Sequence, residues 1–174
     1  MIKKYVIHIL AITAIKEDTF DLPPENNAII ICTNRTSPYV QLLMGENILV
    51  LDFPDVEDER YPGAFNNAHA RKIINFVENL SDEVTDVYVC CSKGGSRSPG
   101  VAAALLRMSG RSDWPVWLNI YYVPNLLVYY RLCKEYRLPV SKIGVKARNY
   151  INNLAWRKAQ RGKPNKHERW EILF

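Results

Sequence analysis

Val87-Tyr88-Val89-Cys90-Cys91-Ser92-Lys93-Gly94-Gly95-Ser96-Arg97-Ser98-Pro99 passes from an apolar run, through small residues, to a helix opening. The β-branched and aromatic residues at 87–89 predict a strand, and the glycine pair predicts a tight turn after it. Beyond Pro99, Ala102-Ala103-Ala104-Leu105-Leu106 is strongly helix-forming and the pattern stops at Gly110, so a helix is expected over Pro99 to Met108. Its small alanines predict close packing on a sheet. Strand, loop and helix in this order are half of a parallel β-α unit.

Working outward, Ala28-Ile29-Ile30-Ile31-Cys32 follows the punctuation Pro23-Pro24 and Asn26-Asn27 and reads as a buried strand. A third strand is expected over Asn47 to Phe53, before Pro54 and the acidic stretch Asp55-Val56-Glu57-Asp58-Glu59. Asn66-Asn67 can cap a helix whose Ala70, Ile73, Ile74, Val77 and Leu80 recur at three and four residues. Further helices are expected from Asn125 to Tyr136 and from Ser141 to Ala159. At the start, Met1-Ile2-Lys3-Lys4 before an apolar stretch imitates a signal peptide, but His8 and the β-branched Val6, Ile7 and Ile9 fit an opening strand better. The fold expected is α/β, a central, mostly parallel sheet flanked by helices. Nearly continuous apolar strands suit a sheet covered on both faces.

The chain has 174 residues, 48% hydrophobic and 24% charged, which fits one globular core and excludes wholesale disorder, collagen-like and coiled-coil architectures. Its net charge of +5 is unevenly placed: residues 1–141 carry 14 Lys and Arg against 16 Asp and Glu, while residues 142–174 carry 9 against 2. The body is therefore residues 1–141, with a basic C-terminal helix and tail, 142–174, packed on it or extending from it. Lys142, Lys146, Arg148, Arg157, Lys158, Arg161, Lys163, Lys166 and Arg169, interleaved with Tyr150, Trp156 and Trp170, would suit an acidic partner or nucleic acid. A solvated helix face is the simpler account. No apolar run reaches the roughly 18–20 residues that span a bilayer, so no membrane partner is expected. Four cysteines are too few for a disulfide scaffold, so reduced thiols and a cytoplasmic location are expected. His8 and His69 lack ligand partners at metal spacing, and neither metal nor cofactor is called for.

The chemistry concentrates in the loop. Five residues between Cys91 and Arg97 can curl their backbone N–H groups around one tetrahedral anion, and the following helix adds its positive end. Gly94 and Gly95 permit the torsions such a nest needs, and Arg97 can offer a bidentate guanidinium to two phosphate oxygens. Ser92, Lys93, Gly94, Gly95, Ser96 and Arg97 are thus the candidate phosphate-binding residues. The same field favours the thiolate of Cys91, the nucleophilic form of a cysteine. Cys32 and Cys133, lacking such company, read as small core residues.

Cys91, Gly94, Ser96, Arg97 and Ser98 match the pattern His-Cys-x-x-Gly-x-Ser-Arg-Ser, and the stretch resembles the signature loop of the protein tyrosine phosphatase superfamily, in its dual-specificity-like branch. The likeness covers about residues 45–136. It includes the upstream acidic loop, the helix from Ala68 to Leu80, the alanine-rich helix, and Tyr122-Val123-Pro124-Asn125, similar to a segment of small bacterial and phage phosphatase-like proteins. It implies a cysteine-dependent phosphatase acting on phosphotyrosine, phosphoserine or phosphothreonine proteins or other phosphomonoesters. Cys91 would attack phosphorus and become phosphocysteine, Arg97 and the loop amides would hold the equatorial oxygens, and Ser98 would stabilise the departing thiolate. For the general acid, Asp55, 36 residues before Cys91, aligns best, with Asp52 and Asp58 as rivals. Where the family has His before the nucleophile, this chain has Cys90, and a neutral thiol does not polarise its neighbour as imidazole does. A catalytically weak or inactive phosphate-binding module and an RNA 5′-phosphatase are the competing functions.

Overall fold

The computed structural model describes residues 1–15, 26–33 and 47–160. Strands β1 (Val6–Ala11), β2 (Asn27–Thr33), β3 (Ile48–Asp52) and β4 (Asp86–Cys91) form one sheet in the order β1-β4-β2-β3, every neighbouring pair parallel. The fold is α/β, with five α-helices among the described residues: α1 (Asn67–Glu78), α2 (Arg97–Met108), α3 (Trp114–Leu118), α4 (Leu126–Glu135) and α5 (Lys142–Ala159). The Pro23-Pro24 punctuation and the tail after Gln160, with Arg161, Lys163, Lys166, Arg169 and Trp170, lie outside the described residues.

Position in the sheet explains the burial of each strand. β2 and β4 have a neighbour on either side, and β2 is buried at every residue. β1 and β3 are the edges, so their apolar runs are only partly covered. Alternation along the inner strands splits the core into two faces. Ala28, Ile30, Cys32, Val87, Val89 and Cys91 join a large cluster with residues from all five helices. Ile29, Ile31 and Cys90 point the other way, into a smaller cluster with Leu10, Ile12, Ile48 and Tyr88.

Helix boundaries follow from their caps. Asn66 accepts from the amides of Ala68 and His69 at 2.9 and 3.2 Å, and the His69 ring accepts from the Asn66 amide, a reciprocal capping box. Asn125 and Ser141 cap α4 and α5 through Val128 and Gly144, as their positions in the sequence imply. α2 opens two residues before the expected Pro99, because the Ser96 carbonyl already accepts from Gly100. Pro99 then falls in the first turn, where a missing N–H costs nothing. Two elements differ from expectation: residues Ile12–Ile15 form a 3-10 turn rather than continuing the strand, and α3 occupies a stretch with no helical periodicity.

α5 is fastened to the body. Arg148 pairs with the buried Asp113 at 3.2 Å, and Asn152 donates to the Trp117 carbonyl at 2.7 Å. Asp113 also accepts from Trp117 Nε1 at 3.0 Å and from the Tyr129 hydroxyl, so this one carboxylate joins α3, α4 and α5. Among the described residues, no helix is long and apolar enough to cross a membrane.

Candidate active site

Cys91 ends β4, the strand between β1 and β2, where its Cα registers with Ala11 on one side and Cys32 on the other. The carboxyl ends of central parallel strands are where α/β sheets hold ligands, because loops rather than strand residues surround that point. Alternation sends Cys91 to the large-core face and Cys90 to the opposite face, which keeps the adjacent thiols apart. All four cysteines are free. Burial, and secondarily the nearby Cys91, push the Cys90 thiol up to about 12, so it stays protonated at neutral pH and is no substitute base. Burial likewise pushes Cys32 well up.

The loop departs from the strand through Gly94, whose φ of +67° lies in the left-handed region. A Cβ there would come within 2.9 Å of the backbone of Leu10 and Ala11, so both torsion and space demand glycine. Gly94→Ala is expected to cost about 1–3 kcal/mol of stability and to distort the loop. A lowered urea midpoint with loss of phosphate binding is the expected result; an unchanged protein would contradict it. The second glycine, Gly95, has no left-handed torsion; its carbonyl accepts from the Val123 amide at 2.8 Å.

Arg97 opens α2 and is 3% exposed. Its Nη1 donates to the Phe53 carbonyl at 3.0 Å and its Nη2 to Ser92 Oγ at 2.8 Å, while Nε, 3.8 Å from Asp55, makes no hydrogen bond among the described residues. Ser98 Oγ, fully buried, also has no partner among the described residues. The amides of Ser92, Lys93, Gly95 and Ser96 find no acceptor among the described residues. Buried donors are ordinarily satisfied, so Arg97 Nε and Ser98 Oγ, beside the open amides of a partly exposed loop, mark a place suited to an acceptor. Lys93, exposed, adds a positive charge at the rim.

Of the three candidate acids, Asp55 is the one joined to this loop. Its Oδ1 accepts from Ser96 Oγ and from Asn125 Nδ2, both at 2.8 Å. Asp58 is held in a two-point contact by Arg60, which lowers its carboxyl to about 2. That contact engages Asp58 with Arg60, and no hydrogen bond among the described residues joins it to the loop. Asp52 is exposed at the end of β3, and its charge acts on His69. His69 itself is a cap and packs on Phe53 and Phe65, its ring kept below the usual range chiefly by burial and then by Lys72.

Asn125, in the sequence only a helix opener and part of the Tyr122-Val123-Pro124-Asn125 likeness, joins the site. Its amide donates to the Ser96 carbonyl at 3.0 Å, its Nδ2 to Asp55 and to the Val56 carbonyl, and its Oδ1 caps α4. Gly100 lets α2 approach it, since a Cβ there would stand 3.0 Å from the Asn125 carbonyl. One side chain thereby holds loop, acid and helix in register. A scan against models of protein families finds no match to this chain, and a search of curated proteins finds none either.

Proposed function

We propose that this chain is a cysteine-dependent phosphatase of the dual-specificity-like kind, hydrolysing phosphomonoesters through a phosphocysteine intermediate. The observation that carries the reading is the open donor set, Arg97 Nε, Ser98 Oγ and the loop amides, gathered beside Cys91 at the end of the central strand. Three phosphoryl oxygens need such donors, and their charge is best stabilised where water is excluded. Cys91 Sγ attacks phosphorus as the ester oxygen departs, and Asp55 protonates that oxygen. Water, deprotonated by the same carboxylate, then cleaves the phosphorus–sulfur bond, with Ser98 donating to the leaving thiolate. Phosphorylated proteins are the proposed substrate class, and a reducing cytoplasm suits an enzyme whose nucleophile must remain a thiol.

Hydrolysis of p-nitrophenyl phosphate in the presence of a chelator, compared among Asp52→Asn, Asp55→Asn and Asp58→Asn, tests the assignment. Asp55→Asn is expected to lower kcat by about 10²–10⁴-fold, with the other two near the parent. Equal activity of Asp55→Asn and parent would overturn the role of Asp55. A parent that binds phosphate but turns nothing over would leave only a phosphate-binding module.

A further inference from the structure

α5 presents two unlike faces. Val145 and Asn152 are buried against α3 and α4, whereas Ile143, Tyr150, Ile151 and Leu154 are exposed at 82, 63, 38 and 44%. With exposed Ala147 these residues follow steps of three and four, so they form one apolar stripe along the outward side of a helix roughly 27 Å long. At 100° per residue, Lys146 and Arg157 fall along one border of the stripe and Lys158 lies within it, beside Ile151. The helix carries five cations and no Asp or Glu. Lys142 is engaged by Glu59 and Arg148 by Asp113, but Lys146, Arg157 and Lys158 have no ion pair or hydrogen bond among the described residues. Lys142 and Lys146 border a cavity of about 290 Å³ with Glu57, Asp58 and Glu59, so the uncompensated positive charge is greatest at the Arg157–Lys158 end.

We propose that this face of α5 docks on an anionic lipid surface, lying in the plane of the bilayer interface. Apolar side chains with long cations along one border and Lys158 among them match a layer with phosphates above and hydrocarbon below, into which the stripe sinks while Lys and Arg reach back to the headgroups. Polyanionic RNA satisfies the cations and offers nothing to Ile143 or Leu154. A second copy, packed helix to helix, would set cations against cations with no carboxylate on either helix to pair them. The remaining sequence to residue 174 adds four Lys and Arg against two Glu, a positive balance that favours an anionic leaflet. The length argument against a membrane-spanning helix does not touch a helix that lies on the surface. Docking is independent of the chemistry proposed for Cys91.

Sedimentation of the full chain with phosphatidylcholine vesicles, with and without phosphatidylglycerol, tests this. Retention on the anionic vesicles alone is expected, weakened roughly tenfold or more both by Ile143→Ser with Leu154→Ser and by Arg157→Glu with Lys158→Glu. All four positions are exposed, so the folded core and aryl-phosphate hydrolysis should be unaffected. Absence of retention on anionic vesicles would overturn the proposal. So would retention indifferent to the Ile143 and Leu154 changes, tighter capture by single-stranded RNA than by vesicles, or a dimer in solution that those changes dissolve.

Discussion

Cys91→Ser should bring aryl-phosphate turnover to background, a loss of about 10⁴-fold or more, while the protein stays folded and still binds inorganic phosphate. A serine hydroxyl is far less acidic than a thiol, and Cys90, the neighbouring residue, gives no help because it faces the opposite side of the sheet with its thiol held protonated. The substitution is nearly isosteric at a site that is 2% exposed, so the core around it has no cavity to fill. Arg97 and the loop amides are untouched, and phosphate affinity by calorimetry should stay within a few-fold of the parent. Residual turnover well above background in Cys91→Ser would exclude this residue as the nucleophile.

Arg97→Lys is the second change with a large expected effect, a fall in kcat/KM of about 10²–10³-fold. The guanidinium does two jobs at once. Two of its nitrogens are spent on the Phe53 carbonyl and Ser92 Oγ, which tie the end of β3 to the start of the loop, while Nε stays open beside Asp55. An ammonium is a point donor on a flexible stem and cannot span these positions together. On the proposed reading, one group holds both the structural bonds and the anion. The expected signature is lost phosphate affinity together with lost kcat, and a lowered melting temperature from the unsatisfied Phe53 carbonyl. Activity equal to the parent would mean the anion is held by the loop amides alone.

What the sequence disclosed was mostly local. The strand pattern at 87–89, the glycine at 94 and the alanines after Pro99 each act within a few residues, so β4, the loop and α2 could be read directly. The caps Asn66, Asn125 and Ser141 sit immediately before their helices and were legible for the same reason. Links between distant segments were not. Asn125 meets Asp55 across 70 positions, and Asp113 gathers Trp117, Tyr129 and Arg148 from 4, 16 and 35 positions away. No periodicity marks a carboxylate whose partners come from three helices. α3 escaped because five residues, Trp114 to Leu118, are too few to show a period, although Pro115 in a first turn was an available cue. In α5 the expected solvated face proved to carry aliphatic residues at its centre, a pattern visible only once the buried side was known.

The central claim is that phosphate passes through Cys91. Acid quenching of the parent protein incubated with p-nitrophenyl phosphate under a chelator, followed by peptide mass spectrometry, reads this directly. The expected result is one phosphoryl group on the sulfur of Cys91, none on Cys32, Cys90 or Cys133, and none at all in Cys91→Ser. Hydrolysis that proceeds with Cys91 unmodified, or that ceases when divalent metal is withheld, would contradict it.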